Sequence, residues 1–180
     1  MRGYFAIGAE RISKPMNLGN LLRSAHAFGA SFFFTIEPTF EARAVALSDT
    51  SDAAGHLPVY HHRSIDELIL PKRCALVGVE LTDEAEELPS FRHPLSAAYV
   101  LGPERGSLSA GIVARCDHLV KIPTRFCVNV GVAGAIVMYD RLISLGRFAH
   151  RPVNSRAAAE PLAEHIHGPS RGRAPVPGDA

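Results

Sequence analysis

Short apolar segments alternate with helical segments along most of the chain, and this alternation constrains the fold more than any other feature. The apolar segments have strand length, and we predict strands at 4–9, 31–36, 57–61, 74–79, 97–101 and 118–122. Helical spacing predicts helices at 17–28, 42–48, 64–70, 109–115 and 128–145. Segment 74–79 is almost continuously apolar, as in strands buried on both faces of a parallel sheet. The predicted fold class is therefore α/β, with a mostly parallel sheet and helices on both faces.

The ends of the helices are predicted from capping residues. Asn17 and Ser64 are expected to be N-caps, and Gly29 and Gly146 are expected to end helices. The polar, acidic segment 82–87 is expected to be a turn. One apolar stripe of the last helix is expected to face the core, and its residues are Val128, Val132, Ile136, Tyr139 and Ile143.

Composition limits the organisation and the location of the protein. We predict one domain over 1–150 and a disordered tail over 151–180, which is rich in proline, glycine and arginine. Lys and Arg number 19 against 18 Asp and Glu, so any contact with nucleic acid needs a local basic surface. No leader or membrane-spanning segment is evident, and the 3 cysteines lack CxxC spacing. A cytoplasmic protein without membrane contact is expected.

Three segments, two of which contain glycine, carry polar side chains at positions where an α/β fold binds ligands. They are 14–23, 101–109 and 122–130. Neither GxGxxG spacing nor a GK[ST] phosphate loop occurs, which disfavours common nucleotide sites. Each segment alone could equally be structural, as a helix cap or a glycine turn. His56, His61 and His62 match no zinc spacing, so no metal is expected.

Taken in this order, the three segments resemble the motifs of the SpoU/TrmH family of RNA 2′-O-ribose methyltransferases, within the SPOUT superfamily. The resemblance covers most of residues 4–148. Its motif residues are Asn17, Gly19 and Arg23, then Leu101 to Ser109 with Glu104, then Ile122-Pro123 with Cys127-Val128-Asn129. Two departures stand out: Cys127 occupies a position where many relatives have serine, and the loop from Pro123 to Cys127 is short and lacks their usual glycine.

The resemblance implies a C-terminal trefoil knot, a homodimer and S-adenosylmethionine as methyl donor, with no metal. The implied cofactor-binding residues are Glu80, Leu101, Gly102, Glu104, Ile122, Cys127, Val128 and Asn129. The implied catalytic residues are Arg23, Asn17, Glu104 and Asn129. The basic residues expected to bind the RNA backbone are Lys14, Arg23, Arg105 and Arg125.

Methyl transfer to a hydroxyl requires alignment of donor and acceptor and removal of a proton. Arg23 is the implied proton-handling residue, and Asn17 and Glu104 are expected to orient it. Because arginine remains protonated, we expect Arg23 instead to clamp a phosphate and to polarise the ribose hydroxyl.

Two other functions remain open from the sequence. One is a knotted protein that binds S-adenosylmethionine or RNA without methylating it, and the other is a flavodoxin-like nucleotide-binding module. We expect no appended RNA-binding domain before residue 4, and this expectation favours tRNA over rRNA as the substrate.

Overall fold

The computed structural model describes residues 3–39, 53–146 and 148. In this part of the chain seven strands form one sheet: β1 Tyr4–Glu10, β2 Phe32–Ile36, β3 Val59–His62, β4 Ala75–Val79, β5 Glu86–Glu87, β6 Ser96–Leu101 and β7 His118–Lys121. Their order is β3-β2-β1-β6-β4-β7-β5, and every strand pairing in the described chain is parallel. The prediction of a mostly parallel sheet is confirmed.

Within the described residues, four helices and two short 3₁₀ turns accompany these strands. The helices are α1 Pro15–Ala27, α2 Ala53–His56, α3 Ala110–Arg115 and α4 Val130–Leu145, and the 3₁₀ turns span Ile65–Glu67 and Leu88–Ser90. Among the described helices, none combines the length and the apolar character that crossing a bilayer requires. The predicted helix at 42–48 and the predicted tail at 151–180 lie outside the described residues.

The sheet has a buried core on each face, because side chains alternate between the faces along every strand. In β1, Phe5 and Ile7 belong to one apolar cluster, whereas Ala6 belongs to the other. Leu21 of α1 joins the first cluster, and Ile112 of α3 joins the second. Helices therefore cover both faces, as predicted, and the strand ends are left as the place where loops can form a site.

The buried face of α4 differs from the predicted stripe. Val132, Tyr139 and Ile143 are 51%, 49% and 38% exposed, so the prediction that they face the core is wrong. The helix is apolar on nearly all sides, and its spacing therefore cannot identify the packed side. The residues that are buried are Val130, Gly131, Gly134, Val137, Met138 and Arg141.

The prediction of Asn17 as a cap is wrong, and Ser64 stands at the start of a 3₁₀ turn where a helix was predicted. Helix α1 begins at Pro15, so Asn17 lies inside the first turn, and Lys14 is the capping residue without a side-chain bond. Ser64 makes no side-chain cap bond, and only a 3₁₀ turn follows it where a helix was predicted at 64–70. Pro71 disfavours helical geometry at the residue before it, which limits any helix there.

The predicted acidic turn at 82–87 contains a short strand. Glu86 and Glu87 pair with Val120 and Lys121 of β7. The ends predicted from Gly29 and Gly146 agree with the structure, since α1 ends at Ala27 and α4 ends at Leu145.

Candidate ligand-binding cleft

The loops that follow β1, β4, β6 and β7 meet at one edge of the sheet and enclose a cavity of about 280 Å³. This volume is close to the lower limit of small-molecule sites, which span about 300–1,000 Å³. The residues around it are Lys14, Asn17, Val79, Glu80, Leu81, Leu101, Gly102, Pro103, Glu104, Gly106, Ile122, Thr124, Cys127, Val128, Asn129, Val130 and Ala133. The three segments singled out in the sequence thus converge on a single cavity.

All of the residues predicted to hold a cofactor line this cavity. They are Glu80, Leu101, Gly102, Glu104, Ile122, Cys127, Val128 and Asn129. Asn17 and Lys14 also line it. Of the residues predicted to be catalytic, only Arg23 lies outside its wall.

A chain of hydrogen bonds joins the three segments along the cavity wall. The amide nitrogen of Asn17 donates to Oε1 of Glu104 over 3.0 Å, and the amide nitrogen of Asn129 donates to Oδ1 of Asn17 over 3.0 Å. Oδ1 of Asn129 accepts from the backbone N–H of Gly131 at 2.9 Å, which caps α4. Asn17 is buried. Its placement inside the first turn of α1 brings its side-chain amide within hydrogen-bonding distance of both Glu104 and Asn129.

Glu104 accepts three further hydrogen bonds from the loop after β1. The backbone N–H and the hydroxyl of Ser13 donate to Oε2 over 3.0 and 2.9 Å, and the backbone N–H of Lys14 donates to Oε1 over 2.9 Å. Burial by itself would raise the pKa of Glu104, but the bonds from Lys14, Asn17 and Ser13 outweigh it and hold this pKa below its ordinary value. The carboxylate is therefore a charged crosslink between the first two segments.

Two other carboxylates shape the loop between β6 and α3. Glu80 accepts from the backbone N–H of Leu108 at 2.7 Å, and buried Glu10 accepts from that of Ser109 at 2.8 Å. A Cβ on Gly102 would lie 3.4 Å from Oε2 of Glu80 and 3.3 Å from the nitrogen of Leu108, so glycine allows this close approach. Glu10 was not singled out from the sequence, where it is one acidic residue at the end of an apolar strand.

The third segment forms the open rim of the cavity. Within it, the Thr124 hydroxyl donates to the carbonyl of Phe126 over 2.9 Å and stabilises the turn. Cys127 lines the cavity and is exposed. Phe126 is 75% exposed beside it, and Arg125 is also exposed.

Arg23 is exposed on α1 and lines a neighbouring groove with Asn20, Asn129 and Tyr139. The expected orienting contacts are not made within the described chain, because Asn17 and Glu104 bond each other and neither bonds Arg23. Asn129 borders both the cavity and this groove, so the two spaces meet at this residue.

The histidines raised in the sequence do not form a recognisable metal site. In the described parts of the chain, no group of three or more His, Cys, Asp or Glu side chains could hold a metal ion. The ring of His56 stacks on that of His26 with centroids 5.4 Å apart. Nδ1 of His61 lies 2.7 Å from the hydroxyl of Thr35, and burial lowers the pKa of His61.

The parallel sheet and the cleft beyond the carboxyl ends of its strands place this chain among the open α/β proteins, which bind their ligands at that position. The model of the SpoU rRNA Methylase family matches residues 4–139. The chain therefore belongs to the SpoU rRNA methylase family.

Individual relatives agree with this assignment. The chain is 31% identical over 143 residues to a putative TrmH family tRNA/rRNA methyltransferase of Staphylococcus haemolyticus, covering 73% of this chain and 55% of that protein. It is 26% identical over 140 residues to the tRNA (guanosine(18)-2′-O)-methyltransferase TARBP1 of Mus musculus, covering 73% of this chain and 9% of that protein. The chain thus spans about half of the bacterial relative and a small part of the mouse one.

A solved structure shows the same fold. The SpoU methyltransferase AviRb from Streptomyces viridochromogenes, in complex with the cofactor AdoMet, superposes with a TM-score of 0.71 at 19% identity. The superposition covers 79% of this chain and 58% of AviRb.

Proposed function

We propose that this protein transfers a methyl group from S-adenosylmethionine to a ribose 2′-hydroxyl of RNA. The hydrogen-bonded chain Glu104–Asn17–Asn129 on the wall of the cavity carries this proposal. It joins one residue from each motif of an RNA methyltransferase family, and it does so around a space of small-molecule size.

The cavity wall suits the chemistry of this donor. Val79, Leu101 and Ile122 offer apolar surface to an adenine ring, whereas Glu80 and Glu104 bring carboxylates to a ligand that carries positive groups. S-adenosylmethionine, when bound, supplies a methyl group activated on a sulfonium. These residues would hold it, and Gly102, which has no side chain, would let the backbone of the cavity wall lie against it.

The acceptor is proposed to enter from the groove of Arg23. This groove meets the cavity at Asn129, so an RNA strand lying in it could bring a ribose to the cavity mouth. A guanidinium stays protonated at working pH, and it therefore cannot accept the hydroxyl proton. We propose that Arg23 grips a phosphate with its planar fork and polarises the ribose hydroxyl.

A homodimer is part of the proposal. The exposed apolar residues Val132 and Tyr139 of α4 line the same groove as Arg23, and Ile143 extends the exposed face. A second copy covering this face would bury the apolar surface and enclose the Arg23 groove. Sedimentation analysis would test this, and Tyr139→Glu is expected to shift the population towards monomer.

The knot and the RNA class are also proposals. A trefoil knot over the segment that leads into α4 is supported by the likeness to SpoU methyltransferase folds. The names of the relatives include tRNA and rRNA enzymes, and the relative from mouse is named for tRNA, which favours tRNA as the first substrate to test.

Calorimetry with S-adenosylmethionine and a methyl-transfer assay on bulk tRNA test the proposal. Gly102→Val should abolish donor binding because its side chain would crowd Glu80 and Leu108 on the cavity wall, whereas Gly111→Ala, which meets only contacts of 3.8 Å or more, should not. Arg23→Lys should bind the donor normally but lose about tenfold or more in turnover, because lysine lacks the fork. Arg92→Lys at the opposite end of the sheet is the matched control.

Donor binding without any methyl transfer would favour the alternative of a knotted binding protein. Normal turnover by Arg23→Lys would contradict the proposed role of the guanidinium.

A further inference from the structure

A second groove of about 570 Å³ adjoins the cavity. Its lining includes the cationic residues Arg11, Lys14 and Arg105, together with Ser13 and Ser107. Its remaining lining residues are Pro103, Glu104 and Gly106. Lys14, Pro103, Glu104 and Gly106 border the cavity as well, so a ligand in the groove would lie next to a ligand in the cavity.

Arg11 is held in a defined position at this groove. Its Nε donates to Oε2 of Glu37 over 2.9 Å, and Oε1 of the buried Glu10 lies 3.8 Å from the same nitrogen. Both carboxylates are thus close to Nε, at the base of the guanidinium. The two terminal amino groups carry four of its five donors, which suits bidentate binding of an oxyanion.

The backbone at Arg11 and Glu37 adopts a conformation that residues other than glycine rarely adopt. Their φ angles are +48° and +49°, in the left-handed region. The N–H of Arg11 donates to the carbonyl of Ile36 over 2.8 Å, and that of Glu37 donates to the carbonyl of His62 over 2.9 Å. Residues held in this region cost free energy and cluster at binding sites, and here they are the two partners of one ion pair.

The charge balance of the groove favours an anion. Three lining side chains are cationic and one, Glu104, is a carboxylate. Glu104 is bonded by Ser13, Lys14 and Asn17, so local donors already compensate its charge. Glu37 and Glu10 lie beside Nε of Arg11 and offset part of its charge. The residues that line the groove still carry more positive than negative side chains, in a protein whose overall charge is only +1.

We propose that this groove binds a phosphate of the substrate RNA strand, with Arg11 as its positioning guanidinium beside Lys14 and Arg105. This inference rests on the proposed function and extends it, because it adds a second backbone contact in a groove that shares no lining residue with the groove of Arg23. Two separate contacts beside the cavity would fix the position of the strand relative to the reacting ribose. Glu37 orients Arg11 for this contact.

The test compares Arg11→Gln and Arg11→Lys with wild type and with the exposed control Arg92→Gln. Binding of fluorescent bulk tRNA is measured across a potassium chloride series, and methyl transfer is measured for KM and kcat. Arg11→Gln should raise the dissociation constant and KM about tenfold, and lower the slope of log affinity against log salt by about 0.7–0.9. Arg11→Lys should restore the slope, and kcat should stay within about twofold of wild type.

Calorimetry with S-adenosylmethionine separates the two anion sources, since this donor also carries a carboxylate. Unchanged donor affinity in Arg11→Gln supports RNA phosphate, whereas weaker donor binding would overturn the proposal in favour of a donor carboxylate site. Identical salt slopes and KM for Arg11→Gln and Arg92→Gln would also overturn it. If the wild-type protein transfers no methyl group, the proposed function fails, but the tRNA binding series still tests the groove.

Discussion

Replacing Glu104 by glutamine should weaken both the fold and the donor site. The carboxylate accepts four hydrogen bonds, two on each oxygen, from Ser13, Lys14 and Asn17. Glutamine keeps one acceptor oxygen but places an NH₂ group opposite two donors. The first and second segments of the cavity wall would then lose part of the charged crosslink between them.

The size of the stability loss depends on how the side-chain amide of the new glutamine is oriented. With its NH₂ towards Ser13, the hydroxyl of Ser13 can rotate to accept, so only the backbone N–H of Ser13 loses its partner. A hydrogen bond to a charged group contributes about 1.5–3 kcal/mol, and partial exposure of the site reduces this. We expect Glu104→Gln to lower the free energy of unfolding by about 1–2 kcal/mol, and S-adenosylmethionine binding to weaken with it.

Urea unfolding at several pH values measures this effect, with the exposed Glu84→Gln as control. The pKa of Glu104 is lower in the folded chain than its ordinary value of 4.5, so the folded state binds fewer protons than the unfolded state. The stability that the Glu104 carboxylate contributes is therefore present above its ordinary pKa, and it is lost as the pH falls through the lower pKa of the folded chain. The glutamine variant should lack this part of the acid destabilisation. A difference from wild type below about 0.5 kcal/mol at pH 7 would refute the crosslink.

Three further changes test the packing and the caps, each by urea unfolding. Gly134→Ala should destabilise by about 1–3 kcal/mol because its Cβ would collide with Leu21, whereas Gly111→Ala, whose Cβ would meet only ordinary contacts of 3.8 Å or more, should be neutral or stabilising; equal effects would contradict the collision. Arg141→Met should cost about 3 kcal/mol or more, because several backbone carbonyls lose a buried donor; a stable variant would contradict it. Asn129→Ala should cost about 1–2 kcal/mol through loss of the α4 cap, and no loss would show that the cap is unimportant.

The fold class was predictable because apolar segments of strand length alternate with helical segments along the chain. This alternation indicates buried parallel strands. The N-terminus of α1 could also have been predicted, because Pro15 suits the first helical position. Asn17 was instead predicted as the cap because asparagine is common there. Its actual role, bonding Glu104 and Asn129, depends on loops 87 and 112 residues away in sequence.

Other features could not be predicted because they depend on packing between distant elements. In α4 the apolar residues surround the helix, and the fit of Gly134 against Leu21 decides which face is buried. Buried Arg141 bonds the carbonyls of Tyr4, Pro94 and Leu95, and no local pattern indicates that. The membership of the cavity wall was predictable through the family motifs, whereas the position of Arg23 outside that wall was not.

The most direct test of the central claim is analysis of nucleosides by mass spectrometry. Bulk tRNA and rRNA are incubated with the protein and S-adenosylmethionine carrying an isotope-labelled methyl group, and are then digested to nucleosides. The account predicts label on the ribose of a 2′-O-methylated nucleoside, and its loss in Gly102→Val. Label on a base, or no label although the donor binds, would contradict it.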